Sequence, residues 1–485
     1  MKDLREWINL LEEEGVLHRI KAEVDYELEL GHVATLNERK NGPALLFENV
    51  KGHRIPVLIS TITTPKKLAL TCGLPADTSI CNVAKEWMRV MVQKKLIPPV
   101  EVKENIPVME QVIEEKDVNL LDLPSPRLYP NDGGRYLGLA FNWVTQDPET
   151  GWTNIGTYRG QLLDEKNIGA NMWIKSKHAY LHMEKTRKQG KSKMLAAAYC
   201  GCDMIHFLAA SNMVPEGMSE YDVIGGIMND PVQVFKSDYT GLMLPANAEI
   251  ILEGELELDP KNFRPEGPLG EYPGFYGASG AFGTPKPFFT VKRILRRKEP
   301  IFVASTVGRP VGDTHIANTV GRTAFLWADL EMMKVPGIRS VYMPPEATGR
   351  WWAIVSAKCT FPAQAQRIAH AVLASPTGHF HTKGVIVVDE DVAADDLAGV
   401  WWSLAVRYNP VDDTQIINKI RATPFDPSLP EDMKDIGSAV ILDCTTPVEW
   451  QKKPVKVEDD PETMEKVLSR WQEYGFPKSD GMGHA

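Results

Sequence analysis

Two central segments alternate apolar and polar side chains with a period of two residues. They are Leu252–Leu258 and Phe288–Leu295. This period places the apolar side chains on one face of a strand, so both segments are predicted to be half-buried β-strands. Most of the region from 137 to about 310 has strand-like patterning, with some helix. This region is therefore expected to be mostly β-structure.

Helical patterns flank this region. Near the N-terminus, Leu4, Trp7, Ile8 and Leu11 share one face of a predicted helix over residues 3–14, which Gly15 can end. Short β-rich runs follow at 44–50 and 55–60. A Pro-rich stretch at 123–134 is predicted to be an ordered loop between subdomains.

The C-terminal third mixes both kinds of signal. A helical segment is predicted to begin near 322, strand and helix patterns alternate over 335–447, and Gly384–Asp389 is a candidate buried strand. The last predicted element is an amphipathic helix with Asp460 as N-cap, Pro461 at its first position and Gly475 as its stop. Such a helix must dock on its own chain or on a neighbour. Together these patterns predict an α+β fold.

Composition excludes several classes of protein. The 485 residues carry a formal net charge of −10 without a basic stripe, which argues against nucleic-acid binding. No run approaches the roughly 18 apolar residues of a membrane span, and no signal-peptide pattern opens the sequence, so the default expectation is a cytoplasmic protein. The six cysteines are too sparse for a disulfide framework and are expected to be buried free thiols.

One Gly/Pro-rich segment has the residues for acid–base chemistry. Arg264–Phe275 contains Glu266 and Glu271, five residues apart. A straight strand would place them on opposite faces, whereas a turn at the intervening glycines can bring both carboxylates to one site. Two carboxylates near an arginine can take different pKa values and divide acid and base roles. From composition alone, a solvated turn with incidental glutamates is the favoured alternative.

Three further residues form a possible set of metal ligands. Asn154, His178 and Glu220 supply an amide oxygen, an imidazole and a carboxylate, which suit Mn2+ or Mg2+ better than a soft metal. Their separations match no local metal motif, and each residue type is more often structural. His182, one helical turn after His178, is interpreted as a supporting or merely exposed residue. No glycine-rich loop indicates a dinucleotide or ATP site.

Several motifs occur in an order that is specific to one family. They are DLREWINLLEEEGVLHRI, NDGGRYLG, TNIGTYRGQ, VPEGMSEYDV, EGPLGEYPGFYG and VIVVDEDV. Over essentially its whole length the chain resembles the UbiD-type decarboxylases, which use prenylated FMN. The resemblance implies a split β-barrel flavin-binding domain followed by a connecting helix, an α/β oligomerisation domain and a C-terminal helix. The expected boundaries are 1–118, 119–320, 321–450 and 451–485, the first being an N-terminal α/β subdomain.

The resemblance also implies roles for individual residues. Arg159, Glu266 and Glu271 match the family's Glu–Arg–Glu catalytic network. Asn154, His178 and Glu220 match ligands of Mn2+ (or Mg2+), which holds the cofactor phosphate beside a K+ ion. The other residues expected to contact the cofactor are Ile155, Thr157, Tyr158, Arg159, Lys177, Ser211, Met213 and Lys383. His315, in Gly308–His315, is a candidate substrate contact.

The activity implied is non-oxidative, reversible decarboxylation of an aromatic acid, hydroxybenzoate-like or heteroaromatic, with Glu271 as proton donor. The expected partners are that acid, CO2, a flavin prenyltransferase that supplies the cofactor, and further copies of the chain in a homodimer or homohexamer. Two alternatives stay open. One is a catalytic or binding subunit of an aromatic carboxylase complex that runs in the CO2-fixing direction, and the other is an ordinary flavin oxidoreductase.

Overall fold

The computed structural model describes residues 3–93, 95–137, 140–175, 177–212, 214–277, 283–430, 435–457 and 459–476. The fold is α+β, as predicted. Among these residues no helix has both the length and the apolar character required to span a membrane. All six cysteines are free thiols, and five are buried, while Cys359 is half-buried.

The N-terminal part of the chain contains helices and short strands. Its elements are α1 (Leu4–Glu13), β1 (Leu17–Ile20), α2 (Glu29–Glu38), β2 (Ala44–Phe47), β3 (Val57–Ile59), α3 (Pro65–Thr71), α4 (Ile80–Val92), β4 (Val100–Glu101) and β5 (Gln111–Glu114). The first helix confirms its prediction, since Asp3 caps it by accepting from the backbone N–H of Arg5 and Glu6, and the four predicted apolar residues are buried.

The central part forms the largest sheet. Its elements are β6 (Asn142–Gln146), β7 (Thr153–Thr157), β8 (Gly160–Leu162), β9 (Asn167–Ala170), α5 (His178–Lys188), β10 (Lys193–Cys200), α6 (Met204–Ala210), α7 (Glu220–Met228), β11 (Gln233–Lys236), β12 (Met243–Pro245), β13 (Ile250–Glu257), β14 (Arg264–Glu266), β15 (Thr284–Lys286), β16 (Phe288–Arg296), β17 (Phe302–Val303) and α8 (Asp313–Met332). The strand order in the curled sheet is β7-β6-β10-β13-β16-β9-β8, with β5 also paired to β16.

Strand β13 corrects one prediction. It covers the alternating segment predicted to be half-buried, yet both of its faces are largely buried. Glu253 is fully buried because the Arg293 guanidinium donates to its carboxylate at 2.7 Å. The charged side chains that alternate along β13 therefore do not mark a solvent-exposed face of this strand. Strand β16, in contrast, shows the predicted alternation of buried and half-buried side chains.

The C-terminal part alternates strands and helices, as predicted. Its elements are β18 (Ile338–Tyr342), β19 (Trp352–Ala357), α9 (Gln364–Ala374), β20 (Gly384–Asp389), α10 (Leu397–Val406), β21 (Thr414–Arg421), β22 (Ile436–Cys444) and α11 (Pro461–Ser469). Strands β19, β20 and β22 pair in parallel within a sheet of order β18-β19-β20-β22-β21. The connecting helix α8 begins at Asp313, earlier than predicted, and most of its residues are buried.

Two strands link the parts of the chain. Strand β5, which precedes the expected boundary at 118, pairs with β16 of the curled sheet, and β17 returns to pair with β3. The tail helix α11 has the predicted Asp460 cap, which accepts from the Thr463 backbone N–H at 2.9 Å. It buries none of its residues. The boundaries of the domains and the docking of α11 remain predictions.

Candidate active site

The three residues predicted to form a catalytic network meet in a buried cluster. Arg159 follows β7, Glu266 ends β14, and Glu271 lies in the loop beyond it. The Arg159 Nη2 donates to Glu266 Oε2 at 2.7 Å, and its Nη1 donates to Glu271. The three residues are at most 9% exposed. One guanidinium therefore lies between two carboxylates that are shielded from water.

The backbone around Glu266 and Glu271 turns as the glycines permit. Gly267 has a φ of +96°, a region that favours glycine. Its N–H donates to Gln161 Oε1 at 2.7 Å, and the Gly270 N–H donates to Asp132 Oδ1 at 2.8 Å. A Cβ on Gly133 would lie 2.2 Å from the Gly267 carbonyl oxygen. The Pro-rich loop and the glutamate loop are therefore fixed against each other.

The electrostatics of the cluster raise the pKa of Glu271 above its usual value. Burial raises the pKa of Glu271, the Arg159 charge opposes that effect, and Glu266 adds to it. For Arg159, burial lowers the pKa, but the two carboxylates outweigh burial and hold it above its usual value. Glu266 Oε1 and Arg159 Nε have no hydrogen-bond partner in the described part of the chain. Those two atoms can contact a ligand.

Two neighbours of this network were not predicted. The Tyr136 hydroxyl donates to the Pro268 carbonyl at 3.1 Å, and burial together with Glu266 raises its pKa. Burial lowers the pKa of Lys286, and the Arg159 charge lowers it further. A tyrosine in NDGGRYLG and a lysine on a short strand carry no local pattern that identifies them.

The expected metal ligands come from three elements. Asn154 lies on β7, while His178 and Glu220 are the first residues of α5 and α7. Glu220 Oε2 accepts from the Ile155 N–H at 2.7 Å, which joins α7 to β7. Burial raises the pKa of Glu220 to about 8 and lowers that of His178. A buried carboxylate and a neutral imidazole are ligand types that fit a divalent cation, which would offset the carboxylate charge.

No group of three His, Cys, Asp or Glu side chains with metal-binding geometry occurs among the described residues. The expected set contributes only two of those types, because its third member is an amide.

His182 supports this region and is not exposed. The interpretation of His182 as merely exposed is wrong, since it is fully buried. Its Nδ1 lies 3.0 Å from Thr145 Oγ1, which also accepts from Asn154 Nδ2 at 3.4 Å. The Trp152 ring packs edge-on against both His178 and His182. Burial lowers the pKa of His182 to about 4, so it stays neutral and positions its neighbours.

The residues expected to contact the cofactor have different environments. Ile155 and Tyr158 are buried, and Thr157 and Lys177 are half-buried. The Ser211 hydroxyl donates to the Phe207 carbonyl at 2.8 Å. The Lys383 ammonium pairs with Asp426 at 2.9 Å. Met213 lies outside the described residues.

His315 is buried and hydrogen-bonded through both ring nitrogens. Its Nδ1 accepts from the Gly312 N–H at 3.0 Å, and its Nε2 lies 2.7 Å from the Tyr272 carbonyl oxygen. In this arrangement His315 fixes the start of α8 to the loop that carries Glu271. A contact to substrate stays a prediction.

Comparison with known protein families covers most of the chain. Models described as the N-terminal, Rift-related and C-terminal domains of 3-octaprenyl-4-hydroxybenzoate carboxy-lyase match residues 8–87, 100–310 and 315–444. A protein of Synechocystis sp. without an assigned role is 30% identical, over 98% of this chain and 96% of its own length.

Solved structures resemble the chain over nearly its whole length. The open form of vanillic acid decarboxylase from Sedimentibacter hydroxybenzoicus, with a truncated ShVdcD subunit, has 30% identity and a TM-score of 0.88, covering 98% of this chain and 99% of the other. An evolved dimeric form of the UbiD-class enzyme HmfF from Pelotomaculum thermopropionicum, in complex with prFMN, has 25% identity and a TM-score of 0.78, covering 94% and 99%.

Proposed function

This chain belongs to the UbiD family of carboxy-lyases, and on that premise we propose that it decarboxylates an aromatic carboxylic acid reversibly, without net oxidation, using prenylated FMN. The observation that supports this most is the buried guanidinium of Arg159 between two carboxylates. The structural relatives include a vanillic acid decarboxylase and an enzyme complexed with prFMN. A hydroxybenzoate-like or heteroaromatic acid is the proposed substrate.

Loss of CO2 from an aromatic ring leaves an electron pair that side chains cannot delocalise. When bound, the prenylated flavin supplies the electron sink for this step. The chain must then hold the substrate, exclude water and deliver one proton. The low exposure of the charged network fits these requirements.

Arg159 binds and orients the substrate carboxylate. Its planar fork suits a carboxylate, and Glu266 fixes the guanidinium by accepting from Nη2. Because Nε has no partner in the described part of the chain, the guanidinium keeps a donor for the substrate.

Glu271 donates the proton that replaces CO2. Burial raises its pKa, so a larger fraction of the carboxyl is protonated near neutral pH than in water. A positioned general acid contributes roughly 10²–10⁴-fold to the rate. Glu271 returns to its protonated form by taking up one proton per turnover.

Asn154, His178 and Glu220 would hold Mn2+ or Mg2+, which would bind the cofactor phosphate beside K+. The buried Glu220 carboxylate fits this role, because a nearby cation would favour its charged form. Ile155, Thr157, Tyr158, Lys177, Ser211, Met213 and Lys383 complete the proposed cofactor site.

The cofactor assignment is tested by the expression host. Protein made without a flavin prenyltransferase should be inactive. Protein made with the prenyltransferase should show a flavin-like spectrum and release CO2 from an aromatic acid. Equal activity of the two preparations would exclude prenylated FMN.

The metal assignment is tested by His178→Ala. Mn2+ and flavin content should fall together, because the ion links the protein to the phosphate. Loss of a ligand or its support typically costs about 10–100-fold in metal affinity. His370→Ala is the matched control, since His370 is exposed on α9. Normal content of both in His178→Ala would show that His178 is not a ligand.

A second candidate function is that of a subunit in an aromatic carboxylase complex. The vanillic acid decarboxylase contains a second polypeptide, ShVdcD, which favours this alternative. Full activity of the isolated chain would exclude a required partner, and activity measured at high CO2 would reveal the reverse direction. NAD(P)H oxidation by the holoenzyme would instead indicate a flavin oxidoreductase.

The proposed assembly is a homodimer or a homohexamer. Trp401 on α10 is 69% exposed and Ile416 on β21 is 68% exposed, and α11 presents Leu468 at 47%. Exposed apolar side chains of this size are suited to cover by another copy. Deletion of residues 458–485 should lower the mass measured by light scattering. An unchanged mass would show that the tail does not contribute to association.

A further inference from the structure

One face of α8 carries polar side chains toward the loop that contains Glu271. His315, Asn318 and Arg322 are spaced by three and four residues, so they share this face. His315 Nε2 contacts the Tyr272 carbonyl oxygen at 2.7 Å, and Asn318 Oδ1 accepts from Arg350 Nη2 at 2.6 Å. Arg322 lies one turn beyond Asn318. The charges of Arg322 and of Arg350, which is held by Asn318, both act on Tyr272, the residue that follows Glu271.

Tyr272 and Arg350 define the wall of this cluster. The Arg350 guanidinium carbon lies 4.6 Å from the centroid of the Tyr272 ring. Tyr272 is only 6% exposed, and its hydroxyl has no hydrogen-bond partner in the part of the chain that the structure describes. The positive charge of Arg350 also acts on the Glu271 carboxyl. The cluster is thus adjacent to the proposed proton donor.

Neither arginine of the cluster forms an ion pair with a carboxylate of the described residues. Arg350 donates to a neutral amide, and no described carboxylate forms an ion pair or hydrogen bond with Arg322. Burial, together with the neighbouring Arg350 charge, lowers the pKa of Arg322 to about 9. Two neighbouring half-buried cations that form no ion pair are unfavourable. An oxyanion bound between them would remove this cost.

We infer that Arg322, Arg350 and Tyr272 bind a second carboxylate of the substrate, which is therefore an aromatic dicarboxylic acid. The inference rests on the proposed decarboxylase function. Guanidinium forks match carboxylate geometry, and a buried tyrosine hydroxyl can donate a third hydrogen bond. The second carboxylate anchors the ring and does not react.

The reaction balances with one carboxylate lost and one kept. The bond from the ring carbon to the departing carboxylate breaks, and its electron pair stays with the ring carbon until the Glu271 proton forms the new C–H bond. CO2 leaves, and the product is a monocarboxylic acid. Neither oxidant nor reductant is consumed. Arg159 holds the carboxylate that leaves, while Arg322 and Arg350 hold the one that stays.

The cofactor phosphate is the competing occupant of the cluster. Lys177, which is expected to contact the cofactor, lies near both Arg322 and Arg350. The substrate is favoured because Arg350 packs on Tyr272, next to Glu271, whereas the expected ligands of the metal that holds the phosphate lie on β7, α5 and α7. Substitution of Arg322 distinguishes the substrate from the cofactor phosphate as the occupant of the cluster.

The experiment compares matched substrates on holoenzyme. Benzene-1,3- and 1,4-dicarboxylic acids and their pyridine analogues are assayed beside their monomethyl esters and the parent monoacids. The ester keeps the shape of the diacid and removes the second charge. We expect kcat/KM for one diacid to exceed that of its monoester by at least about tenfold, the size of a charge-assisted hydrogen bond. Binding to the holoenzyme is measured in parallel by calorimetry.

Arg322→Gln should reduce the diacid-to-monoester ratio toward one in both turnover and binding. Arg322→Lys, which keeps the charge, should retain part of it and guards against a folding defect. Arg339→Gln is the control, because Arg339 is exposed and paired with Glu390. Its ratio should equal that of the wild type.

Each contrary result has a distinct meaning. Equal turnover of monoacids and diacids, independent of Arg322, would overturn the second carboxylate and leave the decarboxylase function intact. Loss of flavin from Arg322→Gln with an unchanged ratio would assign the cluster to the cofactor phosphate and also overturn the inference. Absence of CO2 release from every acid would count against the proposed function, whereas Arg322-dependent binding of a diacid would still support the anion site.

Discussion

Arg159 lies between two carboxylates, whereas Arg322 and Arg350 lie near each other with no described carboxylate hydrogen-bonded to either. In the first site the Arg159 guanidinium has two carboxylate partners before any ligand binds. These contacts keep the guanidinium and Glu271 in fixed positions. In the second site neither arginine forms an ion pair with a described carboxylate, and the inferred occupant is an anion. A cluster whose charges are already paired holds catalytic groups in fixed positions. A cluster whose cations have no ion-pair partner is better suited to bind a charged ligand.

The largest expected effect comes from removing the acid of the paired site. Glu271→Gln keeps the size of the side chain but cannot supply the proton, so turnover should fall by roughly 10²-fold or more. Exchange of the product's ring hydrogen in D2O should fall in parallel, because it reverses the same step. Metal and flavin content should stay normal.

Glu266→Gln is the comparison for that variant. It should perturb the orientation of Arg159, and with it substrate binding. Wild-type turnover and exchange in Glu271→Gln would assign the proton to another group.

Removing the cation of the paired site should affect stability. Arg159→Met leaves Glu266 and Glu271 buried without their partner, and the free energy of unfolding at neutral pH should fall by about 3–5 kcal/mol. Protonation of a carboxyl relieves the repulsion, so the loss should shrink as the pH falls. Urea unfolding at several pH values measures both effects.

The control is Arg339→Met, which removes an exposed ion pair worth at most about 1 kcal/mol. If Arg159→Met were no more damaging than this control, the buried network would not contribute to the stability of the fold.

The pH dependence of turnover links the two sites. Because burial raises the pKa of Glu271, the protonated acid persists to higher pH than in water, and activity should decline as the pH rises through that raised value, about tenfold per unit beyond it. Arg350 lowers this pKa. Arg350→Gln should therefore move the declining limb of kcat against pH to higher pH. An unmoved or rising limb would contradict the assignment of the acid.

The smallest expected effect is on stability, when Arg322 of the second site is replaced. Burial and Arg350 depress the pKa of Arg322, so its charged form is disfavoured in the folded state at neutral pH. Arg322→Met should leave the ligand-free protein as stable as the wild type or raise its free energy of unfolding by up to about 1 kcal/mol. Destabilisation like that of Arg159→Met would show that Arg322 already has a partner.

Several elements could be predicted because their causes are local. The first helix combines an N-cap at Asp3 with an apolar stripe, and the tail helix combines Asp460 with Pro461. In β16 the alternation of apolar and polar residues correctly predicts the alternation of buried and half-buried side chains. In β13 the same alternation gave a wrong prediction of exposure, because Arg293, the ion-pair partner of the buried Glu253, lies 40 residues away in the chain.

The residues of the candidate site also differ in whether the sequence alone identifies them. The ordered motifs identified Arg159, Glu266 and Glu271, and Gly267 and Gly270 allowed the turn that joins them. Nothing local identifies Tyr136 or Lys286. They become neighbours of the network only through the loop at Pro268 and the pairing of β15 with β14. For His182 a supporting role and simple exposure both stayed open, because the sequence does not show that Trp152 covers it.

The sequence by itself determined the elements whose signals lie within one turn or one strand, and the family whose motifs recur in order. Only the tertiary structure decided which charges have partners. Arg322 on α8 and Arg350 before β19 are 28 positions apart in the chain, and Arg159 is more than 100 positions from each of its glutamates. Charge compensation depends on distance in space and on burial, and neither can be read from spacing along the chain.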